Sequence, residues 1–340
     1  MLPETLRFEN DILYILDQRR LPGTVEYIPC SSPEEAARAI ESLAVRGAPA
    51  IGIAAAYGVA LASRSGRSAA EAACERLART RPTAVNLFWA LDRMKRKLPL
   101  LPDNDLYPAL LEEARSIHRE DRENNRLLGE AGAALLPPSC TVLTHCNAGA
   151  LATGGHGTAL GVIRSAREAG KTVKVFATET RPVLQGARLT VWELLEDGFD
   201  VTLICDSMAG ALLKTGTIDG VITGADRVAA NGDAANKIGT LSLAVLAAHF
   251  NVPFYIAAPL STIDRTLSCG ASIPIEERDT MEMRLLPGGG TLPERYTLWN
   301  PAFDVTDASL IAAIITEKGV ARPPYGESLR ALFHEKGELP

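Results

Sequence analysis

The chain has no excess of positive charge: 35 lysines and arginines stand against 41 aspartates and glutamates, a formal net charge of −6. Proteins that bind nucleic acid or anionic membranes present a basic face, so neither partner is expected, and an anionic ligand would have to be met by local cations. No cysteine pair is spaced C-x-x-C. The six cysteines, Cys30, Cys74, Cys140, Cys146, Cys205 and Cys269, are scattered without a Cys/His spacing suited to zinc. They read as reduced thiols, with no metal expected. No apolar run approaches the roughly 18 residues of a spanning helix, and the opening MLPETLRFEND lacks the basic and then apolar stretches of a secretion signal. These absences together predict a soluble, cytoplasmic protein.

With 340 residues and 46% hydrophobic composition, the chain can bury a large core and fill two domains. Alternating apolar and polar residues on both sides of Pro22-Gly23 suggest a small β-hairpin or meander. The texture then turns helical. Ser32 can cap a helix with Pro33 at its first position, Glu35 completing a capping box and Gly47 as its stop. Helical periodicity follows over 49–64, 68–79, 84–97 and a long stretch ending at 136. From there the pattern changes to short runs rich in Val, Ile and Thr: 141–145, 172–177, 201–205, 220–223 and 253–257, each followed by a helix-like segment. That alternation is the signature of parallel strands with crossover helices. The expected fold is α/β: a Rossmann-like, doubly wound parallel-sheet domain over 137–340, preceded by a smaller, mainly helical domain with a β-hairpin over 1–136.

Ligands of such sheets bind beyond the carboxyl ends of the strands, and five loops put polar groups and glycines there. In THCNAGALATGGHGTALG, Cys146 follows the first strand and faces a glycine-rich turn that opens a helix, where backbone N–H groups favour a thiolate. Free cysteines are also commonly inert and buried, and Asn147 beside it is either a hydrogen-bonding group or a turn residue. Asp226 in GADR follows the apolar GVIT, so desolvation at the mouth of a core would suit it to proton transfer; a helix cap or an ion pair with Arg227 is the alternative. A phosphate could be held by the backbone of Gly154, Gly155 and Gly157 or by Arg46, Arg81 and Lys237. A dinucleotide site fits poorly. Although Glu179 follows the second strand, eight residues, Cys146 to Thr153, separate the first strand from the glycines, and Gly155-x-Gly157-x-x-x-Gly161 misplaces the third glycine.

Several segments in order, RGAPAIGIAAAYG, THCNAGALAT, GTALGVIR, ETRPVLQGARLTVWEL, DSMAG, GADRVAANGDAANKIGT, NPAFDVT and ITEKGV, resemble one family over about residues 40–322. It unites the methylthioribose-1-phosphate isomerases with the α, β and δ regulatory subunits of the translation factor eIF-2B. The resemblance implies an aldose–ketose isomerase of methionine salvage, acting on a small sugar phosphate as a homodimer without metal or organic cofactor. It places the family's catalytic cysteine on Cys146 and its aspartate on Asp226. Substrate binding falls on Arg46, Gly47 and Ala48 of RGAP, on Arg81, on Gln185, and on Asn236 and Lys237. Isomerases of 5-deoxyribose 1-phosphate or ribose 1,5-bisphosphate share the scaffold, and a non-catalytic regulatory subunit is the remaining alternative.

Overall fold

The structure, a computed structural model, describes residues 2–81, 84–286 and 288–333. Residues 334–340 of the expected second domain, and Pro82 and Thr83 beside Arg81, lie outside the described residues. The chain begins with a meander. β1 (Leu6–Glu9) and β2 (Ile12–Leu16) pair antiparallel around Asn10-Asp11, both at positive φ (49° and 62°), which matches the twist that tight hairpins demand. β3 (Tyr27–Cys30) adds to β2, so Pro22-Gly23 lies in the second connection.

Ser32 caps α1 (Pro33–Glu41) and Glu35 returns the bond, the reciprocal box read from the sequence. The expected end of this helix needs correction. It stops at Glu41, Leu43 turns left-handed (φ 59°), and buried Ala44 and Val45 run on to Gly47, which precedes α2 (Ala48–Ala62). Burying Ala44 and Val45 in the helical core overrides another helical turn. Gly47 sits at φ 93°, and a Cβ there would stand 2.4 Å from the Ala152 backbone. α2 is apolar all round and buried among α1, α3 (Arg67–Ala78), α4 (Val85–Lys97) and α5 (Leu106–Ala133).

β4 (Ser139–Thr144), α6 (Ala159–Glu168), β5 (Thr172–Thr178), α7 (Val191–Glu196), β6 (Asp200–Ile204), α8 (Ala209–Lys214) and β7 (Gly220–Thr223) alternate as expected. After β7 the chain departs from that pattern. β8 (Arg227–Ala229) and β9 (Ala234–Lys237) intervene before α9 (Thr240–His249) and β10 (Phe254–Ala257). Then follow β11 (Ile263–Asp264), α10 (Met281–Arg284), β12 (Phe303–Thr306), β13 (Ala313–Thr316), β14 (Gly319–Ala321) and α11 (Tyr325–Phe333).

The main sheet has seven strands in the order β14-β13-β10-β7-β4-β5-β6, all parallel except β14. Successive residues of β4 face opposite ways. Val142 packs with Leu160, Ile163 and Leu194 of α6 and α7, and Leu143 with Leu213, Leu243 and Ala244 of α8 and α9. Winding reverses between β4 and β7, which places a crevice at their carboxyl ends. A second sheet, β11-β8-β9-β12, stands over that crevice. α5 joins the two halves: Leu110 and Ile117 belong to the helical core, Leu128 and Ala133 to the face of the main sheet. Among the described residues no helix is long and apolar enough to cross a membrane.

Candidate active site

The crevice between β4 and β7 is the chemically rich cavity of the molecule. Its wall contains all nine residues singled out as catalytic or substrate-binding: Arg46, Gly47, Ala48, Arg81, Cys146, Gln185, Asp226, Asn236 and Lys237. They arrive from separate elements. The turn before α2 supplies Arg46 and Gly47, the first residue of α2 is Ala48, the loop just after β4 supplies Cys146, the segment after β5 supplies Gln185, and β9 supplies Asn236 and Lys237.

Cys146 is held in a left-handed conformation (φ 62°), unusual for a residue with a Cβ. Its N–H donates to Thr180 Oγ1 at 3.0 Å, and its carbonyl accepts from the Thr190 hydroxyl at 2.5 Å. Those bonds fix the backbone and leave the thiol facing the cavity. There Sγ receives Gln185 Nε2 at 3.4 Å and lies 3.9 Å from the Arg46 guanidinium. Arg46 Nη1 and Gln185 Oε1 are buried with no hydrogen-bond partner among the described residues. Buried polar atoms ordinarily find one, so both are poised for a ligand.

Asp226 lies beyond Gly224 and Ala225, and its N–H donates to the Ala235 carbonyl at 2.9 Å. It therefore opens a β-hairpin rather than capping a helix, and Arg227 turns away to Asp264 at 3.3 Å. Asp226 keeps some accessible surface because it faces the cavity, yet burial pushes its carboxyl above the ordinary value. Lys237, Arg81 and Arg46 pull the other way without reversing it. Lys237 is buried, stacks its ammonium 4.7 Å from the Phe303 ring centroid, and has its pKa lowered by desolvation, with Cys146 and Asp226 opposing. Arg81 pairs with Glu276 at 3.3 Å.

The glycines of GGHG are placed elsewhere, which corrects their reading as a phosphate cradle. Gly154 N–H donates to Asp121 (2.6 Å), Gly155 N–H to Thr153 Oγ1 (3.2 Å) and Gly157 N–H to the Gly155 carbonyl (2.5 Å). None of the three lines the cavity; Thr153 and Thr158 on either side do. Sequence reasoning also missed Arg278 and Phe303 in the wall, although Phe303 stands in the NPAFDVT segment. It missed His145 too. Its buried ring bonds the Ile238 carbonyl through Nε2 (2.9 Å), so Nδ1 accepts the Thr178 hydroxyl (2.6 Å). Burial lowers its pKa, and the neutral ring ties β4 to the strand carrying Lys237. Among the described residues no cluster of three or more His, Cys, Asp or Glu is arranged for a metal.

A thiol, a carboxylate with a raised pKa and several cations thus meet at the switch point of a parallel sheet. The model described as the Initiation factor 2 subunit family matches residues 44–323, and the chain belongs to that family. Within it, the chain is 57% identical over 339 residues to the methylthioribose-1-phosphate isomerase of Pelotomaculum thermopropionicum, covering 96% of this chain and 93% of the relative. The solved 5-methylthioribose 1-phosphate isomerase of Pyrococcus horikoshii superposes with a TM-score of 0.91 at 45% identity, over 98% of this chain and 96% of the other. The solved structure of a protein named translation initiation factor eIF-2B, subunit delta, from A. fulgidus gives a TM-score of 0.88 at 44% identity, over 97% and 99%.

Proposed function

We propose that the chain is an aldose–ketose isomerase that converts 5-methylthioribose 1-phosphate to 5-methylthioribulose 1-phosphate in methionine salvage. The observation that carries the reading is the meeting of Cys146 and Asp226 in one cavity with Arg46, Arg81 and Lys237. An aldose phosphorylated on its anomeric carbon is locked as a ring. The ring must open before the carbonyl moves from C1 to C2, so one group protonates the ring oxygen and another handles hydrogen between the carbons. Each such role is typically worth about 10²- to 10⁴-fold in rate. Burial favours the neutral acid of Asp226, which suits it to the ring oxygen; Cys146 then serves C1 and C2. The backbone of Gly47 and Ala48 with Arg46, Arg81, Asn236 and Lys237 holds the phosphate side, and Gln185 orients the thiol. Leu43, Ile51, Val183 and Ile273 add an apolar wall that suits a methylthio group at C5 better than a second phosphate.

A subunit of an initiation factor, as the A. fulgidus protein is named, needs no acid–base pair, and a buried thiol facing one cavity with a desolvated carboxyl speaks for catalysis. The main sheet is Rossmann-like, and residues 1–136 form the smaller N-terminal unit. The protein works in the cytoplasm as a homodimer without cofactor; the exposed Leu203 on edge strand β6 and Met208 beyond it leave apolar surface for a second copy, and sedimentation velocity tests that state. Phosphorus NMR with 5-methylthioribose 1-phosphate tests the reaction: the parent converts it, and Cys146→Ala and Asp226→Ala do not. Conversion by either variant at the parental rate removes that residue from the mechanism, and none by folded parent protein returns the reading to another sugar or a regulatory role.

A further inference from the structure

Behind the Cys146 loop lies a buried polar cluster that ends in the cavity. Asn147 Nδ2 donates to Glu193 Oε1 at 2.6 Å and to Thr190 Oγ1 at 3.2 Å. Glu193 is fully buried and also accepts from Ala150 N–H at 2.8 Å and from the Arg164 guanidinium at 2.8 Å. The Thr190 hydroxyl spends its hydrogen on the Cys146 carbonyl, so toward Asn147 it only accepts. Two acceptors thus claim both amide hydrogens and dictate which way the side chain faces. Its oxygen points away from them. Asn147 is only 6% exposed, it lines the same cavity as Cys146, and Oδ1 has no hydrogen-bond partner among the described residues. Leaving such an oxygen unpaired is costly, and Glu193 and Thr190 hold it in that state.

We infer that Asn147 Oδ1 is a substrate-binding acceptor that takes a hydrogen bond from a hydroxyl on C2 or C3 of the sugar, with Glu193 as its positioning residue. The assignment rests on the sugar-phosphate reading above and adds to it. An amide oxygen has no hydrogen to offer and repels an ionised phosphate, which also has none to give. It therefore belongs to the sugar end of the ligand, and the cations Arg46, Arg81 and Lys237 to the phosphate end. A buried acceptor of this kind rejects an analogue lacking the hydroxyl, because the oxygen then stays unpaired.

The test measures binding of 5-methylthioribose 1-phosphate and its 2-deoxy and 3-deoxy analogues by calorimetry, in a Cys146→Ala background that stops turnover. With Asn147 present, one deoxy analogue should bind at least about 10-fold more weakly than the parent sugar. Asn147→Ala and Asn147→Leu should weaken the parent sugar by a similar factor and close the gap to that analogue. Glu193 keeps its bonds to Ala150 and Arg164 in both variants, and the comparison with Asn147 in place needs no substitution there. Absence of any gap overturns the proposal, as does equal weakening of all three ligands in the variants. If the unsubstituted enzyme converts the sugar while the gap is missing, the isomerase reading stands and this assignment falls; if it neither binds nor converts the sugar, both fall.

Discussion

Replacing Gly47 by alanine probes the turn that carries Arg46 into the cavity, and Gly66→Ala is its control. Both glycines hold similar φ angles, 93° and 102°, in a region that L-residues rarely enter. Such backbone strain costs about 1–3 kcal/mol. At Gly66 a Cβ meets nothing within 4 Å, so strain is the whole effect. At Gly47 it would stand 2.4 Å from both Cα and O of Ala152 and 2.5 Å from its Cβ. Two of these atoms are backbone, so no rotamer change relieves the contact, and overpacking adds about 1–3 kcal/mol. The sum is about 2–6 kcal/mol against about 1–3 for the control. The displacement also moves Arg46, whose guanidinium is 3.9 Å from Cys146 Sγ, and the Ala152–Thr153 wall. A shift of about 1 Å at such a site lowers kcat/KM by about 10²-fold. Thermal melts and steady-state kinetics of both variants decide the matter: a Gly47→Ala protein no less stable than Gly66→Ala, or one retaining parental kcat/KM, refutes the reasoning.

Arg164→Met strands the buried Glu193 carboxylate, which pairs with Arg164 at 2.8 Å, and should cost about 3–5 kcal/mol in a melt or urea titration; an unchanged midpoint would show the pair to be dispensable. Asp226→Asn should abolish turnover yet raise the melting temperature at pH 8. The folded-state pKa of Asp226 lies above the ordinary 3.8, so its stabilising share is present below that value and lost as pH rises through the folded pKa. The gain from asparagine should accordingly vanish near pH 3, and a gain independent of pH would contradict the desolvation argument. Of Arg46→Ala, Arg81→Ala and Lys237→Ala, at least one should raise KM by about 10- to 100-fold through loss of a charge-assisted bond to phosphate. Normal KM values in all three would remove the cations from the phosphate side.

Much of the architecture is legible in the sequence because its cues are local. The capping box of Ser32 and Glu35 needs four consecutive residues, and the alternation from β4 to β7 follows from period and length alone. The failures have equally physical causes. Gly47 reads as a helix stop because a glycine after a helical run usually is one; its actual constraint, the approach of Ala152, comes from more than 100 residues away in the chain. The β8–β9 hairpin escapes notice although Asn231-Gly232 is a strong turn signal, because the strands are three and four residues long and leave no periodicity to read. Glycines 154, 155 and 157 resemble an anion cradle in one dimension, whereas in three their N–H groups are committed to Asp121, Thr153 and Gly155.

By itself the sequence determined the class of fold, the order of its elements as far as β7, and the identities of Cys146 and Asp226 as residues at strand ends. These follow from hydrophobic periodicity and from motifs, which are properties of neighbours along the chain. Only the tertiary structure decided that the two residues face one cavity, that burial raises the Asp226 pKa, and that Glu193 and Thr190 take both amide hydrogens of Asn147 and leave its oxygen without a partner among the described residues. Desolvation and hydrogen-bond saturation depend on atoms brought together from distant segments, so they come into being only when the chain has packed.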